Sequence, residues 1–186
     1  MLFRSEHAPY DEDAPPGPIN FYAETKVQAE QLVARLGARA AIARLSLVVG
    51  LPLLGAGNSF LPRLIASMKE GRVIAATERE VRTPVDVISV GRALLELAAG
   101  DQHGIFHLGG RDRLNRFQIA QKLAARFDYP QNLVVAQALA TPPGRAARPR
   151  DVSLNTTRTR SQLKTPMLTL DDGLSLILEM AETSAA

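Results

Sequence analysis

The sequence predicts an α/β fold, and an incomplete one. Three observations carry this. Segments with apolar residues at three- and four-residue spacing alternate with short β-branched runs. One run, residues 40–49 (AAIARLSLVV), is apolar with few polar breaks, the pattern of a strand buried on both faces of a parallel sheet. No second run of that quality follows, although a parallel sheet needs several strands joined by crossovers. The chain also opens in a loop, not in a strand with a glycine-rich turn, so a segment preceding Met1 is expected.

The elements follow in order. Residues 7–20 hold four prolines, a glycine and three consecutive acids, which reads as a loop unable to build a core. A helix is expected from about Asn20 to Leu36, with Ala29, Leu32, Val33 and Leu36 on its buried face and Gly37 as its stop. The strand of residues 40–49 gives way to a Gly/Pro-punctuated loop, residues 50–58. Ser59 to about Glu70 forms a second helix, with Phe60, Leu61, Leu64, Ile65 and Met68 inward. Short strands are expected at Val73–Ala75 and Val81–Val87. A third helix runs from Ser89 to Ala99, with Val90, Ala93, Leu94, Leu97 and Ala98 in one stripe. Ile105–Leu108 is a short strand closed by Gly109-Gly110. Asn115 with Gln118 three residues on is a capping-box pair opening a helix to Phe127. A short strand at Leu133–Val135, a basic proline-broken loop at residues 141–150 and a short helix from Thr157 to about Leu163 come next. Thr169-Leu-Asp-Asp172 opens the last helix, with Leu170, Leu174, Ile177 and Ala181 inward.

Composition narrows the function classes. Of 186 residues 46% are apolar and 22% charged, a balance that excludes a fully disordered or fibrous chain. There is no cysteine, so disulfides, thiolate metal sites and a cysteine nucleophile are excluded. No secretory signal pattern or membrane-length apolar run is present, which points to the cytoplasm. The net charge of +3 is unevenly spread: residues 1–30 carry six acids against two bases, and residues 141–165 six bases against one acid. That asymmetry suits a small anionic ligand, or solvent, better than a duplex, and without tryptophan there is little for base stacking. Neither nucleic acid nor a membrane is expected as partner. His7, His103 and His107 are scattered, so no metal site is expected. Asp11-Glu12-Asp13 reads as a solvated acidic loop.

Tyr22 and Lys26 are four apart at the start of the first helix and therefore share a face. An ammonium beside a phenol favours negative charge on the phenol oxygen, and such a pair can exchange a proton with a carbonyl or alcohol oxygen. A bare Y-x-x-x-K is common by chance, so its surroundings decide its weight. Pro9-Tyr10-x-Glu12, then Asn20-x-Tyr22-x-x-x-Lys26-x-x-x-Glu30, then Arg44-x-Ser46-x-Val48-Val49-Gly50 together resemble the extended short-chain dehydrogenase/reductases. More narrowly, Arg82-Thr83-Pro84-Val85-x-Val87, Gly104-Ile105-Phe106-His107-Leu108-Gly109-Gly110 and Ala147-Arg148-Pro149-Arg150-Asp151-x-x-Leu154 resemble the dTDP-4-dehydrorhamnose reductases and related sugar-nucleotide reductases. The resemblance runs in order along nearly the whole chain.

The resemblance implies an incomplete NAD(P)-binding Rossmann-like fold, its C-terminal part, with a small α/β substrate-binding region. Residues 1–50 would be a remnant of the Rossmann domain carrying the Tyr/Lys helix. Residues 51–186 would be mostly substrate-binding, with elements returning to the Rossmann sheet. Tyr22 would be the catalytic acid/base. Lys26 would support it, and both would contact the nicotinamide end of NADPH or NADH. The substrate would be a 4-keto deoxysugar on a nucleoside diphosphate. Arg148 and Asp151 match the family's R-x-x-D spacing at the nucleotide diphosphate, and Arg82 matches a second family arginine. A guanidinium suits a diphosphate because its fork donates two parallel charge-assisted bonds. Asn58 and Ser59, at a helix N-terminus, are further candidates for an anion or simple caps. The family's G-x-x-G-x-x-G loop has no counterpart; Gly55-x-Gly57 and Gly109-Gly110 read as turns. The chain is therefore expected to be inactive alone. With part of its apolar surface uncovered, self-association or a homodimer is also expected. Two other readings stay open: a non-catalytic sugar-nucleotide-binding or regulatory module of the same superfamily, and a fragment of a sugar-nucleotide epimerase or dehydratase.

Overall fold

A computed structural model describes residues 2–3, 7–35, 37, 39–52, 59–138, 144 and 146–185. It confirms the α/β class. The elements are α1 (Phe21–Ala34), β1 (Ala41–Leu45), β2 (Val48–Val49), α2 (Phe60–Lys69), β3 (Ile74–Ala76), β4 (Val81–Arg82), β5 (Val85–Asp86), α3 (Val87–Ala99), β6 (Gly104–Leu108), β7 (Leu114–Asn115), α4 (Arg116–Arg126), β8 (Val134–Ala136), α5 (Thr157–Gln162) and α6 (Leu170–Ala185). Among the described residues no helix is long and apolar enough to cross a membrane.

Local chemistry sets the helix starts. The Asn20 side chain accepts from the Ala23 N–H, and the Asp86 side chain accepts from the Ser89 N–H. Asn115 and Gln118 form the reciprocal capping box at 2.8 and 2.9 Å.

The strands pair two by two. β1 runs parallel to β6 over Ala41–Leu45 and Gly104–Leu108, β2 parallel to β5, β3 parallel to β8, and β4 antiparallel to β7. The run of residues 40–49 is thus two strands, not one. At Ser46 and Leu47 the chain leaves β6 and passes to β5: the Ser46 N–H donates to the Leu108 carbonyl, and the Leu47 carbonyl accepts from the Val85 N–H. Val81–Val87 is likewise split, because Thr83-Pro84 interrupts it and proline cannot donate to a ladder.

Among the described residues three apolar clusters result. One packs α2, α4 and α6 around Leu61, Leu64, Ile119, Leu123 and Leu174. A second sets α3 against β5 and β6 through Val85, Val90, Ala93, Leu97 and Phe106. The third joins Leu2, Phe3 and Tyr10 to Val152 and Leu154 beneath α1. The loop of residues 7–20 therefore does build core: Tyr10 is buried and stacks on Phe3 with centroids 4.0 Å apart.

The apolar stripe expected on α1 is not buried. Ala29 and Leu32 are exposed, Val33 is half-buried, Leu36 lies outside the described residues, and Ala23 is the helix's buried residue. β1, beside it, is hydrogen-bonded to β6 along one edge and to no other described strand along the second. Leu94 and Ala98 of α3 and Ala181 of α6 are also exposed. The remaining inward positions of α2, α3, α4 and α6 are buried or half-buried as the spacing requires.

Gly109-Gly110 lets the end of β6 pass against the Thr83-Pro84 turn. A Cβ on Gly110 would lie 2.0 Å from the Pro84 carbonyl oxygen and 2.9 Å from that of Leu168. Both obstacles are backbone, so neither can rotate away. Gly110→Ala is expected to lower stability by about 1–3 kcal/mol or more, as overpacking of a filled core does. Urea unfolding of the two proteins measures this, and an unchanged midpoint would contradict the close approach.

Candidate functional site

Tyr22, Lys26 and Glu30 recur every four residues on α1 and line one trough of about 600 Å³ with Phe3, Ser46 and Arg82. Tyr22 is 61% exposed, and the Lys26 ammonium lies 5.4 Å from its ring centroid, within cation–π range. The trough runs along the edge of β1 that no described strand pairs and reaches the residues just past its C-terminal end, where ligands of parallel sheets bind.

The face carrying Tyr22 and Lys26 is held by Arg44 of β1. Its Nε and Nη2 donate to the two carboxylate oxygens of Glu30 at 2.9 and 2.8 Å, a bidentate pair. Its Nη1 donates to the Glu12 carbonyl at 3.2 Å and meets His107 Nε2 at 3.4 Å. The guanidinium carbon sits 5.5 Å from the Phe3 ring centroid. The other imidazole nitrogen, Nδ1, lies 3.1 Å from the Asn155 carbonyl, which can only accept. Nδ1 therefore carries the proton and Nε2 accepts from Arg44, an assignment made from the hydrogen-bond network.

The acidic tripeptide is a loop with Asp11 and Asp13 exposed, as expected, but Glu12 is not solvated. Glu12 is 4% exposed, and one of its carboxylate oxygens lies 3.7 Å from Arg158. Asp13 pairs with Arg158, whose guanidinium holds the Asp13 carboxyl below its ordinary range. Asp11 accepts from the Asn155 side chain at 2.8 Å. Part of the charge asymmetry seen in the sequence is thus closed within the molecule.

Arg82 is 1% exposed, and its fork is committed to backbone. Nη1 donates to the carbonyls of Val81 and Arg150 at 2.6 and 3.1 Å, and Nη2 to the Pro149 carbonyl at 3.4 Å and Glu80 at 3.3 Å. Nε has no partner among the described residues. Burial pushes its pKa down to about 10, against the pull of Glu80. Arg116 shares Glu80 at 3.5 Å and stacks over Phe60 at 4.7 Å. Burial also lowers the pKa of Arg116, and the charge of the exposed Arg148 bears on both arginines.

Asp151 is occupied with its own loop. It accepts from the Ser153 N–H and hydroxyl at 2.9 and 2.7 Å and pairs with Arg113. Ser59 caps α2 by position, and its hydroxyl donates to the Gly50 carbonyl at 3.5 Å. Asn58 lies outside the described residues. The structure therefore brings Tyr22, Lys26 and Arg82 to one trough, and places Arg148 and Asp151 on the loop that Arg82 fastens. It gives a role to Arg44 and Ser46, which the sequence offered only as part of a motif, and adds Glu80, Arg113 and Arg116, which lie outside the motifs. Arg44 had a signal, since a charge inside an apolar strand needs a buried partner. Among the described residues no group of histidines and carboxylates could hold a metal ion.

The family model described as the RmlD substrate binding domain matches residues 2–182. Methionine adenosyltransferase 2 subunit beta of Danio rerio is 25% identical over 163 residues, 84% of this chain and 50% of that protein. The probable low-salt glycan biosynthesis reductase Agl14 of Haloferax volcanii is 25% identical over 169 residues, 90% of this chain and 56% of that protein. The chain spans about half the length of these curated relatives. Among solved structures, a hypothetical dTDP-4-dehydrorhamnose reductase from Sulfolobus tokodaii superposes with a TM-score of 0.78 at 30% identity, over 92% of this chain and 59% of that one. The Bacillus anthracis dTDP-4-dehydrorhamnose reductase in complex with NADP gives 0.85 at 24% identity, over 96% of this chain and 62% of that one, a likeness of fold.

The His107 network carries a pH dependence. Burial, opposed by Glu12 and reinforced by Arg44, pushes the imidazole pKa below its ordinary value. The unfolded chain then binds a proton that the native state resists, so stability is held above about pH 6.5 and falls as the pH drops below it. Urea midpoints at pH 8, 6 and 5 are expected to fall in that order, and less steeply in His107→Gln. A profile equally steep in the variant would assign the loss to other groups.

Proposed function

The chain belongs to the RmlD substrate binding domain family, and on that premise we propose that it is the C-terminal, sugar-nucleotide-binding part of an NAD(P)H-dependent reductase acting on a 4-keto deoxysugar nucleotide of the dTDP-4-dehydrorhamnose kind. The observation that carries this reading is the Tyr22–Lys26 pair, set on one face of α1 and opening into a trough at the end of a parallel strand. The Sulfolobus tokodaii likeness, at 30% identity over nearly the whole chain, supports the same class.

In this reading Tyr22 gives its phenolic proton to the oxygen of the keto group as that oxygen gains negative charge. Lys26, with its ammonium 5.4 Å from the ring, adds positive charge where negative charge develops, and its exposure on the trough fits it to the ribose at the nicotinamide end of the cofactor. NADPH or NADH supplies the hydride. The chain's own residues fit that end of the cofactor alone, since the sequence has no G-x-x-G-x-x-G loop for the pyrophosphate. Residues 1–50 serve the hydride-transfer side and residues 51–186 the sugar nucleotide. Arg82, through its three backbone carbonyl contacts, positions the loop that offers Arg148 to the diphosphate. Asp151 stiffens that loop, and Asn58 and Ser59 stay candidates for an anionic group of the substrate. The subunit name of the Danio rerio relative favours a second reading, a binding module without turnover.

The two readings separate in one assay. Fused to a dinucleotide-binding half, the chain is expected to oxidise NADPH when given dTDP-4-dehydrorhamnose. Tyr22→Phe removes one exposed oxygen and is expected to cut kcat by about 10²–10⁴ with KM little changed. A loss below tenfold would remove Tyr22 as the acid, and binding of the sugar nucleotide without turnover would favour the module.

Arg148→Ala is expected to weaken dTDP-sugar binding by about 1.5–3 kcal/mol, the range for hydrogen bonds to charged groups, and Arg148→Lys to recover part of it because lysine lacks the fork. Calorimetric titration measures this. If Arg150→Ala weakens binding equally and high salt erases both losses, the loop attracts anions only in general, and the Arg148 assignment fails.

A further inference from the structure

Ser46 ends β1 on the trough, one residue past the strand, and its hydroxyl has an unusual set of partners. The Thr83 N–H donates to Ser46 Oγ at 3.2 Å, and the two hydroxyl oxygens are 3.0 Å apart. Thr83 Oγ1 in turn accepts from the Leu154 N–H at 3.3 Å. Each hydroxyl has one hydrogen, and only one of the two can lie between them. Were it that of Ser46, the Thr83 hydrogen would be left without an acceptor on a side chain that is 4% exposed, which costs a buried donor its full desolvation. The hydrogen between them therefore belongs to Thr83. Ser46 Oγ then accepts twice, and its own O–H is the free donor. Ser46 is half-buried and lines the trough that holds Tyr22, Lys26 and Arg82. No described residue takes its hydrogen.

We infer that Ser46 is a further ligand-binding donor of this site, its O–H directed at an oxygen of the sugar ring of a bound nucleotide sugar. The inference rests on the sugar-nucleotide reading above and adds the residue that orients the sugar from the strand side, opposite the helix that carries Tyr22. The Thr83 hydroxyl fixes it: with both acceptor positions filled from the Arg82-Thr83-Pro84 turn, Ser46 can present only a hydrogen. A site built in this way selects for an acceptor oxygen and against an apolar group, because a bound ligand takes water from the Ser46 donor and would otherwise leave it unpaired.

Calorimetric titration of the full chain with dTDP-glucose and with dTDP tests this. Ser46→Ala is expected to weaken dTDP-glucose by about three- to tenfold, the worth of one hydrogen bond, and to leave dTDP unchanged. Ser46→Thr, which keeps the hydroxyl, is expected to restore the loss. If Ser46→Ala does not fold, Ser46→Cys, with a weak S–H donor of similar shape, replaces it against Ser46→Thr. Equal weakening of both ligands would mean that Ser46 only supports the Thr83 turn, and unchanged affinity for both would mean that its O–H does not reach the sugar. Either outcome overturns the inference and leaves the sugar-nucleotide reading standing. A wild-type chain that binds neither ligand overturns both.

Discussion

The site depends on one buried guanidinium. Arg44 lies in the middle of β1, where apolar neighbours would leave its charge unpaired, and it is accepted there because four different segments converge on it. Glu30 brings α1, the Glu12 carbonyl brings the proline-rich loop, His107 brings β6, and Phe3 covers its face. Replacing such a pair by apolar groups of the same shape can be neutral, but removing one partner strands the other charge at about 3–5 kcal/mol. The arrangement fixes geometry as much as it adds stability. A bidentate pair at Glu30 sets the rotation of α1 about its axis, and Tyr22 and Lys26, eight and four residues earlier on the same face, are carried with it to the trough. The loop that looked unable to build a core is the third side of this cluster, and that is why Glu12 and Tyr10 are buried in it.

Arg82 does for the other wall what Arg44 does for the first. Its contacts are to main-chain carbonyls of Val81, Pro149 and Arg150, so its charge holds a segment in place and is largely spent before any ligand arrives. Burial depresses its pKa only to about 10, so the group stays protonated at neutral pH. The division of labour that follows is physical: the buried arginine positions and the exposed Arg148 meets solvent. A motif search assigns both to the ligand alike, because sequence carries the residue type and not its burial.

What could be read from the sequence was whatever is local. The helix start near Asn20, the capping box at Asn115/Gln118, the faces of α2 and α4, and the shared face of Tyr22 and Lys26 all follow from short-range spacing, and the structure has each of them. What could not be read depended on partners far along the chain. Residues 40–49 look like one strand, yet the chain changes partner at Ser46 because Leu108 and Val85, some 40 to 60 residues away, offer the next hydrogen bonds. Glu12 looks solvated until Arg158 and Arg44 close over it. The apolar stripe of α1 was legible as a stripe, but its pattern cannot say whether anything lies against it.

That stripe and the edge of β1 that no described strand pairs bear on the chemistry directly. Tyr22 is 61% exposed, and in the proposed reaction water would compete for the carbonyl oxygen that its phenol protonates. Proton donation and charge stabilisation gain their strength in a closed, low-dielectric site, where an ammonium at 5.4 Å acts far more strongly than it does through solvent. The wall built by α1, β1 and the Arg82 turn supplies orientation: the helix rotation set by Glu30, the hydroxyl fixed by Thr83, the loop fastened by Arg82. In the proposed reaction, exclusion of water would fall to a surface covering the edge of β1 that no described strand pairs. Orientation and desolvation thus fall to different surfaces, and the wall of α1, β1 and the Arg82 turn is the one that orients.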